Sequence, residues 1–170
     1  MIKDDEEEQM NYYIMMCNTK TFQEVLSINN IPGLNNRWRI NESLENLETI
    51  DYTIGKAKKL FENIVKDDIV YIKVGVDNRT KADRFDGITN VEKLESGIYA
   101  RCKVIEKDNK VTFIDNNGKL RVYLEVTDNL FNKIIQKVDA KNILDKKYDN
   151  YFNCNLTRQM GLALDSIIYK

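Results

Sequence analysis

The chain has no histidine among its 170 residues. That absence removes the commonest general base and a very common metal ligand. Ser–His and Cys–His nucleophile pairs, histidine-based metallohydrolases and histidine-dependent nuclease folds all fall away with it. The three cysteines, Cys17, Cys102 and Cys154, are dispersed without CxxC spacing. An odd, scattered set reads as reduced thiols rather than a disulfide frame or a zinc site. Glycine and proline are scarce, at seven and one. Gly75 and Gly118 stand alone, so neither a P-loop nor a dinucleotide-binding turn is present. No apolar run approaches the ~20 residues of a membrane span, and the acidic N-terminus carries no secretory signal. The expected location is therefore cytoplasmic, with no membrane partner and no cofactor.

What is there is a balanced chain, with 26 basic and 27 acidic residues and a net charge of −1. The balance is uneven along its length. Five carboxylates against one lysine give the first ten residues a charge of −4, which leaves +3 for the other 160. The expected organisation is an acidic, disordered leader over 1–10 and a single domain over 11–170. An apolar content of 42% and a charged content of 31% suit a globular core of that size.

Without histidine, catalysis would rest on carboxylates, lysine, tyrosine or cysteine. A magnesium nuclease needs an Asp on one strand and an acidic-x-Lys tripeptide on the next to hold the metal and polarise water. Asp115 and Glu125 flank an expected hairpin, but Val126-Thr127 follows Glu125. Glu106 precedes Lys107 directly, which is also the wrong spacing. Both patterns read better as turn and strand residues. No catalytic residue and no metal site is assigned.

The pattern of apolar residues predicts strands at Asn11–Cys17, Ile69–Val74 and Gly97–Glu106. The turn signals Asp108-Asn109 and Asn116-Asn117-Gly118 frame a hairpin of Val111–Ile114 with Lys119–Val126. Thr19 or Thr21 can cap a short helix carrying Phe22, Val25 and Leu26, and Ile31-Pro32-Gly33 marks a turn. Trp38-Arg39-Ile40 reads as extended and Leu44–Ile50 as ambiguous. A helix beginning at Thr53 places Ile54, Ala57, Leu60, Phe61 and Ile64 on one face. Gly75–Glu95 reads as a long polar loop. Leu130–Ile135 and Ala140–Leu144 read as short helices. Thr157 is the expected N-cap of a closing helix whose Leu162, Leu164, Ile167 and Ile168 face the core.

The order of four patches adds a resemblance. A first strand ends in Asn18, and Trp38 follows between Arg37 and Arg39. An acidic turn, Asp67-Asp68, then leads into a strand, and Ser96-Gly97-Ile98-Tyr99-Ala100 opens another. Tyr151-Phe152 before the last helix is a weaker match. Together they resemble the EVE branch of the PUA-like superfamily, which is related to YTH-type readers. The turn departs from the usual pattern, with Asp67 where the family carries glycine. The resemblance implies an α+β fold: a PUA-like mixed β-barrel of about five to six strands, surrounded by short helices and closed by a C-terminal helix.

It also implies a non-enzymatic module that reads a flipped, modified base, with modified cytosine in DNA favoured and RNA as the alternative partner. A flipped base has lost a few kcal/mol of stacking and pairing. A pocket recovers part of that by stacking worth ~1–3 kcal/mol on an aromatic, together with edge hydrogen bonds. On this resemblance Trp38 and Tyr99 would stack or cage the base. Asn18 would bond its edge, and Ser96 and Gly97 would allow close approach. Arg37, Arg39, Arg79, Lys81 and Arg84 would hold phosphates without reading sequence. Each also has a plainer role: Trp38 as a core anchor, Tyr99 as a structural strand residue, Asn18 as a helix cap, and the loop arginines as solvated side chains beside Asp77, Asp83 and Asp86. The other readings are a protein-interaction module docking a separate nuclease or other effector, and a small enzyme using carboxylates or Lys73. Oligomeric state is left open by the sequence.

Overall fold

A computed structural model of the chain describes residues 10–17, 49–53, 63–76, 93, 95–114, 120–130, 132–149 and 154–170. These residues form the strands β1 (Tyr12–Cys17), β2 (Thr49–Thr53), β3 (Ile69–Val74), β4 (Gly97–Val104), β5 (Thr112–Ile114), β6 (Leu120–Asn129), β7 (Ile135–Gln136) and β8 (Cys154–Leu156). Helix α1 (Lys137–Leu144) runs into a 3-10 turn at Asp145–Lys147, and α2 (Arg158–Ile168) follows β8. All eight strands belong to one sheet, ordered β2-β6-β4-β3-β1-β8, with β5 paired to β6 and β7 to β4. Every pairing is antiparallel except that of β1 with β3. The sheet curls into a half-barrel with both helices in its core, the expected α+β architecture.

Burial explains which strands are apolar throughout. All six residues of β3 are buried, as are the first four of β1 and of β4. One face of this central block carries Tyr12, Ile14, Ile69, Tyr71 and Ile98 and meets Ala140, Leu144 and Tyr148 after β7 and Leu156 and Leu164 at the end of the chain. The opposite face carries Val70, Ile72, Cys102 and Val104 beside Val122, Leu124 and Val126 of β6. On β6 these alternate with half-buried Tyr123 and Glu125, so that strand is buried on one face only, as its sequence predicts. Burial pushes the Cys102 thiol up to about 12, which makes it an inert core residue.

The acidic turn ties three strands together. Asp67 adopts φ 73°, the left-handed conformation that glycine adopts without cost. Its N–H donates to the Val104 carbonyl, and the Val104 N–H returns a bond to the Asp68 carbonyl. The Asp68 carboxylate accepts from the backbone N–H groups of Asn11 and Val65 and from the Asn11 side-chain amide. Burial pushes the Asp68 carboxyl up, and those donors oppose it.

Several expectations need correction. Thr53 ends β2 instead of opening a helix, and Thr49-Ile50 also lies in that strand. Ile135 belongs to β7, and the residues described between it and Leu130 form turns, so Leu130–Ile135 is not a helix. Leu162 is 42% exposed; Gly161 and Leu164 are the buried residues of α2, with Ile167 and Ile168 partly buried. The Thr157 cap holds, its hydroxyl accepting from the Met160 N–H at 3.2 Å. Gly161 is required by packing: a Cβ there would lie 2.3 Å from the Tyr12 ring. The leader up to residue 9, the first helix, the Trp38 segment, residues 54–62 of the helix expected from Thr53, nearly all of 75–95 and Tyr151-Phe152 lie outside the described residues.

Candidate functional site

The end of β3 and the start of β4 meet where both strands depart from regular pairing. Ile72 faces Ala100, but Lys73 faces Ile98, so Tyr99 is an extra residue in β4, a β-bulge. Bulges re-aim side chains. Here the Tyr99 ring is buried, with its hydroxyl donating to the Glu95 carbonyl at 2.6 Å. Gly97 sits between Val74 of β3 and Gln136 of β7. A Cβ on Gly97 would come within 2.5 Å of the Ile135 carbonyl oxygen, so only glycine lets β7 approach.

Ser96 stands just before this strand and is half-buried. Its Oγ donates to the Val74 carbonyl at 3.0 Å and lies 2.7 Å from the Tyr148 hydroxyl. Tyr148 is itself buried and follows the 3-10 turn. Lys73, the one charged residue in the apolar run of β3, is also buried. Its Nζ donates to the Tyr148 carbonyl and lies 4.6 Å from the centre of the Tyr148 ring. Burial pulls the Lys73 pKa down, against the fields of Cys154 and Asp149. Burial also pushes the Tyr148 hydroxyl up. The segment carrying Tyr148 begins at Asp145, a non-glycine residue at φ 51°, ψ −128°. Such strain persists only where surrounding contacts hold the backbone in place.

Of the residues singled out from the sequence, Ser96, Gly97 and Tyr99 are therefore brought together beside Lys73 and Tyr148. Asn18, Trp38, Arg37, Arg39, Arg79, Lys81 and Arg84 lie outside the described residues. So does Asp115, while Glu125 is half-buried opposite Lys103 in the middle of a strand pair. Tyr148 gave no signal in the sequence. Lys73 did, as a lone charge in a strand that is otherwise fully apolar. Among the described residues no group of three or more histidine, cysteine or acidic side chains could hold a metal ion. The assembled groups can stack, exclude and form hydrogen bonds.

A second polar cluster on the sheet fastens α2. The Arg101 guanidinium on β4 donates through Nε to Asp165 Oδ1 at 2.9 Å and through Nη2 to Oδ2 at 3.3 Å. The Tyr71 hydroxyl donates toward Asp165 Oδ1 at 2.6 Å and lies 2.9 Å from the Gly161 carbonyl. Arg101 Nη1 reaches Thr127 Oγ1 at 3.1 Å. Thr127 is the second bulge, an extra residue of β6 between the partners of Arg101 and Cys102. The Tyr169 hydroxyl donates to Asp128 at 2.6 Å, and its ring lies under Arg101. Burial pulls the Arg101 pKa down, but Asp165 outweighs it and holds the guanidinium above its usual value. Burial, then Asp165, drives the Tyr71 hydroxyl upward.

No protein-family model matches the chain, and no curated protein matches it either. Among solved structures it is similar to human THYN1, in a crystal structure of that protein in complex with 5-methylcytosine-containing DNA. The TM-score is 0.50 at 12% identity, over 94% of this chain and 98% of that one. At this identity the likeness establishes the fold, which is PUA-like.

Proposed function

We infer that the chain is a non-enzymatic EVE-type reader that binds modified DNA, taking up a flipped, modified cytosine beside the start of β4. The observation that carries this reading is the shared fold: over nearly its whole length the chain has the architecture of a protein solved with 5-methylcytosine DNA bound. The site's chemistry agrees. At Ser96 a half-buried hydroxyl, a strand start without a side chain and a bulged tyrosine come together. Those are parts for holding a planar polar ligand. They are not a proton-transfer pair. In this reading Ser96, Gly97 and Tyr99 form one wall of the pocket, and Trp38 and Asn18 contribute stacking and edge recognition. Arg37, Arg39, Arg79, Lys81 and Arg84 neutralise phosphates.

The test uses the single tryptophan. Short duplexes identical except for one cytosine, either plain, 5-methyl or 5-hydroxymethyl, are titrated while Trp38 fluorescence is followed. Saturable quenching by a modified duplex, at concentrations where the plain one is silent, is expected. A folded protein that responds to single-stranded RNA and to no duplex would transfer the reading to RNA.

A further inference from the structure

The protons of the Ser96–Tyr148 pair can be placed by counting. A carbonyl cannot donate, so the only hydrogen of Ser96 Oγ is committed to the Val74 carbonyl. The Tyr148 hydroxyl, 2.7 Å away, must then donate to Ser96 Oγ. One of the two Ser96 lone pairs accepts that bond, and the other is left over on a half-buried atom. Neither hydroxyl retains a proton to give. The arrangement is held rigid from beneath. Lys73 grips both the carbonyl and the ring of Tyr148, and Gly97 is packed against β7 at a distance no other residue permits.

We propose that the Val74 carbonyl and Tyr148, itself held by Lys73, lock Ser96 as a hydrogen-bond acceptor, so that this site selects a base by its exocyclic amine. The proposal rests on the reading of the chain as a modified-base reader and says which base that reader takes. Cytosine presents an amine at position 4, which donates to Ser96. Thymine presents a carbonyl oxygen there, setting lone pair against lone pair. 5-Methylcytosine and thymine share the methyl group, so the methyl cannot separate them; the locked hydroxyl can. Tyr148 and Lys73 act through Ser96 as positioning residues. The Tyr148 hydroxyl stays protonated because burial disfavours its ionised form.

The decisive comparison places 5-methylcytosine or thymine opposite guanine in otherwise identical duplexes. A T·G mismatch is the easier pair to open, so the design is biased against the proposal. The native protein is expected to prefer 5-methylcytosine by about tenfold or more, the effect of one well-made against one frustrated buried hydrogen bond. In Tyr148→Phe the Ser96 hydroxyl keeps the Val74 carbonyl but loses the donor that polarises it toward that bond, so turning to the thymine oxygen costs less. The preference should then fall to within about threefold while binding to the duplex persists. Ser96→Ala should also lose it. A purely structural tyrosine would weaken both duplexes equally and leave their ratio intact, and that result overturns the proposal. So does a native protein that prefers modified over plain cytosine yet does not distinguish 5-methylcytosine from thymine, a comparison needing no variant. A native protein indifferent to modification overturns the parent reading, and the proposal with it.

Discussion

Two polar clusters lie on the curled sheet, and they are finished differently. Around Arg101 and Asp165 the bonding is closed: a two-toothed guanidinium–carboxylate pair, a tyrosine hydroxyl on the same carboxylate and a threonine on the remaining nitrogen. Around Lys73 the partners include a carbonyl, an aromatic ring and two hydroxyls, and one acceptor is left over on Ser96. The first cluster carries opposite charges at 14% and 16% side-chain exposure, where removing one partner strands the other. The second keeps recognition capacity at the cost of burying an ammonium group. One fastens α2, and the other is where we propose that a base is read.

The sharpest way to break this contrast is Asp165→Ala. It leaves Arg101 buried without its carboxylate and is expected to cost about 3–5 kcal/mol in urea unfolding. A loss below about 1 kcal/mol would show the pair to be a surface bridge in effect. Gly161→Ala, which drives a Cβ into the Tyr12 ring, should cost about 1–3 kcal/mol and lower the thermal midpoint. Tyr148→Phe removes one neutral hydrogen bond and should cost only about 1 kcal/mol in the same assay. A loss as large as that of Asp165→Ala would erase the distinction between clamp and site.

Lys73 gives the second cluster a pH signature. Its pKa in the folded protein lies below the ordinary lysine value of 10.5, so the unfolded chain holds that proton more tightly. Its contribution to stability is therefore complete above 10.5 and is lost as pH falls through the depressed folded value. Compared with Lys73→Met, the native protein should gain stability as pH rises toward 10.5. A gap between the two that stays flat over that range would contradict the assignment. The smallest effect is expected at the turn. Asp67→Gly relieves φ 73° and should be neutral or stabilising by up to about 1 kcal/mol. A clear destabilisation would mean that the Lys103 contact, 3.9 Å away, outweighs the backbone term.

The strands readable in the sequence are those whose burial is set locally. Ile69–Val74 is apolar throughout because it is covered on both faces, and Val122, Leu124 and Val126 alternate because β6 is covered on one. β2 was illegible: Thr-Ile-Asp-Tyr-Thr has no apolar stripe of its own and becomes a strand by pairing with β6, some 70 residues away. β7 has two residues and exists because Gly97 admits it. Cys154–Leu156 is likewise too short to carry a period. At the site, Ser96 and Gly97 stood out as a strand entrance. Tyr148 could not, since its role depends on Lys73 and Ser96, 75 and 52 residues away in sequence.

The strand order has a consequence for synthesis. β1 is completed on one side by β3, 57 residues later, and on the other by β8, 144 residues later. While the ribosome is still making the middle of the chain, Tyr12–Met15 is an apolar segment with an open hydrogen-bonding edge. That edge closes only after Cys154–Leu156 has emerged. Nascent chains halted before that point expose a ready template for intermolecular pairing. Among the described strands, the one made latest therefore shields the first.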